Sequence, residues 1–234
     1  MSSIYFDNGY IIVKPSYKHT RKHKHNMLHL FAGRGLKILA DESIAEGKLI
    51  ILEKNIYHKV LDGDVEYFMF IDPTSRFAEK LRRDYINEYG FYSSDNDYLL
   101  AEENISFEEI KNKLDVFFGE EVFMKKSECD SRILRLMEEI DSFKCVEKKV
   151  SDIAEEYGYS ESYLTHLFKK ETGIPFKNYM LMRQFEYAWI MINKGSRITD
   201  AVMEAGFSSS QHFSDVCQKL TGISAMDVMR ELPE

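Results

Sequence analysis

Two stretches near the C-terminus of this 234-residue chain are copies of one another. Ser151-Asp152 with Glu156, Gly158-Tyr159-Ser160 and Thr172-Gly173-Ile174 reappears as Thr199-Asp200 with Glu204, Gly206-Phe207-Ser208 and Thr221-Gly222-Ile223. The offset is 48 residues up to the turn and 49 beyond it. Each copy reads as a short helix, a glycine turn and a longer helix stopped by glycine, which is the helix-turn-helix layout. Gly158 and Gly206 supply left-handed backbone after the first helix, and the serines that follow can cap the second. Pro175 to Asn193 joins the copies as a long helix-compatible segment carrying Phe176, Tyr179, Met180, Phe185, Ala188, Trp189 and Ile192.

The longer helix of each copy divides into two sides. In the first copy Leu164, Leu167 and Phe168 share the inner side, and Ser162, Thr165, His166 and Lys169 share the outer at i, i+3, i+4, i+7. In the second, Phe213, Val216, Cys217 and Leu220 face in while Gln211, Ser214, Asp215 and Gln218 face out. An outward polar stripe on the second helix is what a recognition helix presents to base edges, although any solvated helix carries one. Duplication strengthens the DNA reading, because a rigid connector would hold two such helices about 34 Å apart, in successive major grooves.

From about Asp130 to Leu232 the chain resembles the DNA-binding domain of the AraC/XylS transcription regulators. The resemblance rests on Ile153-Ala154, Leu167-Phe168-Lys169-Lys170, Gly173-Ile174, Arg183 with Ala188, and Ala205-Gly206-Phe207-Ser208. It implies that Ser162, Thr165 and His166 face bases in one groove and Gln211, Ser214 and Asp215 in the next, with Gln211 suited to adenine and His166 to guanine. Phosphate contacts are expected from Lys169, Lys170, Lys177 and Lys219. Two residues depart from the family pattern. Asp215 stands where a basic or polar residue is common, and Cys217 where a large aromatic is usual, so the second reader is expected to be the weaker.

Residues 1–72 read as short strands, Tyr10 to Val13, Met27 to Phe31, Leu36 to Leu39, Lys48 to Leu52 and Tyr67 to Ile71, punctuated by Gly33, Gly35, Gly47, Gly63 and Asp72-Pro73. That spacing predicts a small antiparallel barrel or sandwich. Beyond Ser75 the period becomes helical over Arg76 to Tyr89 and Ser106 to Lys126. Five of the seven histidines lie at positions 19, 23, 25, 29 and 58. On one strand His23, His25, Met27, His29 and Phe31 would point the same way. The spacing His23-x-His25-x3-His29, then Gly47-x5-Glu53-x-Asn55-x2-His58, resembles the two cupin motifs, as AraC-type sensor domains often do. Glu53 and Asn55 replace the usual Pro and Gly, and His29 replaces the metal-binding glutamate. A quartet of His23, His25, His29 and His58 would suit Zn, Ni, Fe or Co. A small organic effector, or no small ligand with histidines as ordinary barrel lining, are the other readings.

The expected fold is therefore α+β: an N-terminal antiparallel cupin-like barrel over residues 1–75, a helical dimerisation or coupling region over 76–129, and an all-α double helix-turn-helix domain over 130–234. The function implied is a DNA-binding transcriptional regulator, not an enzyme, with double-stranded DNA as partner, a homodimer expected and RNA polymerase a further candidate partner. A metal-dependent cupin enzyme and a regulator acting mainly through protein contacts are the alternatives.

Composition trims this further. An apolar share of 44 % and a charged share of 30 % suit a globular protein. No uncharged run reaches the ~18 residues of a membrane span, and the N-terminus lacks a signal peptide's basic flank and apolar core. Cys129, Cys145 and Cys217 have no metal spacing and suit a reducing cytoplasm. The net charge of −8 argues against bulk attraction to nucleic acid. Residues 1–129 carry 18 basic and 22 acidic groups and residues 130–234 carry 13 and 17, so the reading half is itself acidic.

Overall fold

The computed structural model describes residues 3–7, 10–15, 22–24, 26–100, 105–119 and 129–221. They fall into two compact units, one up to Lys125 and one over Lys126–Leu220.

The first unit is built on six antiparallel strands, β1 (Ser3–Asp7), β2 (Tyr10–Lys14), β3 (Leu28–Ala40), β4 (Ser43–Leu52), β5 (His58–Ile71) and β6 (Phe91–Ser94). Their order in the sheet is β1-β2-β5-β3-β4-β6. Met27–Phe31 and Leu36–Leu39, expected as separate strands, fall, apart from Met27, in the one 13-residue β3. The glycines between them admit a bulge instead of ending the strand: the register shifts after Ala32, and a Cβ on Gly33 would lie 2.2 Å from the Asp64 carbonyl oxygen.

Strand alternation separates two faces. One carries Tyr10, Ile12, Leu28, Leu30, Ala32, Leu49, Ile51, Tyr67, Met69 and Ile71, and packs with Phe77, Ala78 and Leu81 of α1 (Arg76–Asp84) and Ile110, Leu114 and Phe118 of α2 (Phe107–Phe118). The helices of the expected coupling region thus share the sheet's core. Ser75 caps α1, and Ser106 with Glu109 forms a capping box on α2. The first is shorter than the periodicity suggests, ending at Asp84; the second ends at Phe118, and residues 120–126 of the expected helix lie outside the described residues. The opposite face aligns Ile11 and Val13, Phe70 and Phe68, His29 and Phe31, and Leu52 and Ile50 across β2, β5, β3 and β4, all of them buried. With both faces covered, the strands read as unbroken apolar runs.

Two of the three departures from the cupin pattern have structural roles. Glu53 takes both Nε and Nη2 of Arg82, at 2.7 and 3.0 Å, tying the end of β4 to α1. Asn55 has φ of +66°, the left-handed backbone that a glycine otherwise supplies.

Among the described residues the second unit is entirely helical: α3 (Ser131–Asp141), α4 (Val150–Glu156), α5 (Glu161–Thr172), α6 (Phe176–Asn193), α7 (Ile198–Glu204) and α8 (Ser210–Thr221). The α4–α5 and α7–α8 pairs are the two copies of the repeat, and α6 is the connector. Ile153, Ala154, Leu164 and Phe168 pack with α3 and with Phe176, Tyr179 and Met180 of α6. The second copy packs on the other end of α6, where Phe213 lies 5.7 Å from both Phe185 and Trp189 and 5.3 Å from Phe207, ring to ring. Cys217 is fully buried.

The turns behave as the glycines require, with φ of +71° at Gly158 and +86° at Gly206. Ser160 Oγ accepts from the Tyr163 amide and caps α5. In the second copy the corresponding acceptor is Ser209, whose Oγ takes the His212 amide at 3.1 Å. Ser208 is therefore not the equivalent of Ser160, and the extra residue of the repeat lies in this turn.

Candidate functional site

On α5, Ser162, His166, Lys169 and Lys170 are exposed and Thr165 is half-buried; on α8, Gln211, Asp215 and Lys219 are exposed and Ser214 half-buried. The inner residues Leu164, Phe168, Phe213, Val216, Cys217 and Leu220 are buried, and Leu167 is partly so. Each helix therefore presents the polar side that its periodicity indicates. Because the apolar side is anchored on α6, neither polar stripe is free to roll. The 18-residue connector spans about 27 Å at 1.5 Å per residue.

Several of these groups have local partners that limit what they can read. Thr165 Oγ1 donates to the carbonyls of Glu161 and Ser162, at 2.8 and 3.1 Å. Its donor is committed to the helix, which leaves the methyl group as its distinctive outward chemistry, and a methyl complements the C5-methyl of thymine. Gln211 Nε2 donates to Asp215 Oδ1 at 2.8 Å, so these two side chains form one unit. Lys177 pairs with Glu161 at 3.6 Å. Tyr163, absent from the sequence-based selection, is 47 % exposed beside Tyr159, with ring centroids 5.0 Å apart. Its position next to Ser162 on the outer stripe was the available clue.

The histidines of the first unit come together differently from the single-strand expectation. β3 begins only at Leu28, and His23 instead forms an isolated antiparallel bridge with His58. The His58 ring still lies 4.4 Å from that of His23 and 4.6 Å from that of His29. His29 stacks on Phe31 at 5.0 Å and meets the edge-on ring of Phe70 at 4.5 Å, so the imidazoles extend a phenyl cluster on the second sheet face. His25 lies outside the described residues. Among the described residues no group of three or more His, Cys, Asp or Glu side chains is arranged to hold a metal ion.

Burial, followed by the neighbouring His23, lowers the His58 pKa to about 4; the Ile56 carbonyl accepting from Nδ1 at 2.9 Å and the charge of Asp41 oppose this. Folded His58 thus protonates less readily than an unfolded imidazole at ~6.5. Its neutral form contributes stability that is intact above pH ~6.5 and is lost progressively as pH falls from there toward 4. The unfolding midpoint of metal-free protein is expected to fall between pH 7 and pH 5, and less steeply in His58→Gln. Equal slopes in the two proteins would assign the acid sensitivity to other groups.

Residues 153–231 match a family of helix-turn-helix domains. Among solved structures, ToxT from Vibrio cholerae is similar at 15 % identity, covering 100 % of this chain and 99 % of that one with a TM-score of 0.52. The same protein with an unsaturated fatty acid bound is similar at 15 % identity, 97 % and 96 % coverage and a TM-score of 0.52. At such identity the likeness is one of fold. No curated protein matches the sequence. Among the described residues no helix is long and apolar enough to cross a membrane.

Proposed function

We propose that this chain, whose residues 153–231 match a family of helix-turn-helix domains, is a transcriptional regulator of the AraC/XylS type that reads double-stranded DNA with α5 and α8 and responds to a small organic effector. The observation that carries the DNA reading is the repeat itself: two capped second helices, each anchored on α6 and each turning a polar stripe outward. Ser162, Thr165, His166, Gln211, Ser214 and Asp215 would face bases, with Lys169, Lys170 and Lys219 on phosphates. The acidic balance of residues 130–234 favours a homodimer, since one copy has little net attraction for the backbone.

The effector part of the proposal rests on the buried face formed by His29, Phe31, Phe68, Phe70 and His58, whose apolar rings and few polar atoms suit an amphipathic organic molecule. That ToxT has been solved with an unsaturated fatty acid bound is in keeping with this class. A transition metal held by His23, His25, His29 and His58 is the second reading. It is favoured by the Nδ1–H of His58 donating to the Ile56 carbonyl, the way a metal-bound imidazole is commonly oriented.

Selection from random duplex DNA with the full chain tests the proposal. Enrichment of one site about two helical turns long is expected, with binding that weakens steeply as salt rises. On that site Thr165→Val should keep the preference for a thymine and Thr165→Ser should lose it. No enrichment at low salt would overturn the DNA reading. Repeating the binding with an unsaturated fatty acid, and separately with Zn, Ni, Fe and Co, distinguishes the effector classes: only the first should shift DNA affinity, whereas a shift with a metal alone would establish the second reading.

A further inference from the structure

We infer that Asp215 is a positioning residue for Gln211, fixing its carboxamide so that α8 reads adenine. This rests on the DNA reading above and adds to it a division of labour within the second recognition helix. Taken by itself, a carboxylate on the stripe facing DNA is a liability, because it repels phosphate and among base edges has only the amino groups of cytosine and adenine to accept from. The structure gives it another occupation. Asp215 Oδ1 accepts from Gln211 Nε2 at 2.8 Å, one helical turn apart, and both side chains lie on the exposed face of α8.

The chemistry of the carboxamide determines what this does. A glutamine amide has two N–H donors and one carbonyl acceptor. With one N–H committed to Asp215, a single N–H and Oε1 remain. Adenine presents N7 as acceptor and the N6 amino group as donor in the major groove, so the remaining pair matches it with no donor or acceptor left over. The carboxylate also distinguishes the two ends of the amide: it accepts from NH2 and repels Oε1. The rotated amide, which would offer the donor and acceptor in the wrong order, is thereby disfavoured. Restricting a long side chain before binding lowers the ordering cost at the interface. On the first recognition helix Thr165, which stands in the repeat where Ser214 does, turns its hydroxyl back onto its own helix.

The test uses the full chain and the duplex enriched by the wild-type protein. Gln211→Ala identifies the base pair that Gln211 reads. Asp215→Ala should relax the preference at that same pair about three- to tenfold. Asp215→Asn, equally uncharged but still carrying an amide oxygen that accepts, should retain the preference and bind all sequences somewhat more tightly. Adding Asp215→Ala to Gln211→Ala should cost little more at that position than Gln211→Ala alone. Wild-type preference at that pair in Asp215→Ala overturns the inference, as does relaxation in Asp215→Ala at a base pair that Gln211→Ala leaves untouched, which would make Asp215 a reader in its own right. In both cases the wild-type protein still selects a site, so the regulator reading stands. Only failure of the wild type to enrich any sequence removes both. Both positions are solvent-exposed, and unchanged melting confirms that the variants fold.

Discussion

Replacing Arg183 by alanine is expected to destabilise the second unit by about 3–5 kcal/mol, the typical cost of removing one partner from a buried ion pair. Arg183 is only 6 % exposed. Its Nη1 donates to Glu186 at 2.6 Å, its Nε lies 3.4 Å from Asp141, and its Cζ sits 5.1 Å from the Tyr179 ring centroid. Tyr179 in turn donates to Asp141, so α3 and α6 share one polar knot within an apolar interior. Without Arg183, the carboxylate of Glu186, itself 8 % exposed, is left in a site where water cannot replace the lost charge. Urea unfolding measures the loss. The double change of Arg183 and Glu186 to methionine removes both charges and fills the volume, and it should recover most of the stability. If the double variant is as unstable as Arg183→Ala, the knot matters for shape and not for charge balance.

The second large effect separates two glycines that look equivalent in the repeat. Both have positive φ, so alanine at either is strained by about 1–2 kcal/mol. At Gly158 an added Cβ meets nothing within 4 Å, whereas at Gly206 it would lie 2.9 Å from Gln184 Nε2 and 3.0 Å from the Cα of Glu147. Gln184 is held there by its bond to the Val146 carbonyl at 2.6 Å, so it cannot withdraw without losing a partner. Gly206→Ala should therefore cost about 1–3 kcal/mol more than Gly158→Ala, the usual penalty of overpacking. Thermal melting of the two variants side by side tests this, and equal losses would mean that the turn of the second copy can shift away from α6.

These contrasts also indicate what a sequence of this kind discloses. The helix-turn-helix pairs were legible because their determinants are local: turn glycines, capping serines and a 3.6-residue period all lie within a dozen residues of the structure they specify. The paired burial of both sheet faces was foreshadowed by unbroken runs such as Tyr67–Ile71. β1 and β6 escaped notice because short edge strands carry little periodicity, and β6 contributes only four half-buried residues. His29 and Phe31 do share a face, as alternation requires. The approach of His23 depends on its pairing with His58, a long-range contact that strand parity cannot supply. Likewise the bond from Gln211 to Asp215 was within reach of i, i+4 spacing, but a carboxylate in a DNA-facing stripe invites attention to its charge before its capacity to accept.

The lengthened turn of the second copy bears on how such a domain can change. Counted from the capping serine, Ser162, Thr165 and His166 stand at second, fifth and sixth place after Ser160, and Gln211, Ser214 and Asp215 stand at the same places after Ser209. The extra residue precedes the cap, so it leaves the angular phase of the reading helix untouched. One residue inserted after the cap would instead rotate every later side chain by about 100° and carry the stripe toward the core. Length variation on the near side of Ser209 is therefore silent to the groove, while the same variation on the far side replaces one set of reading residues with another.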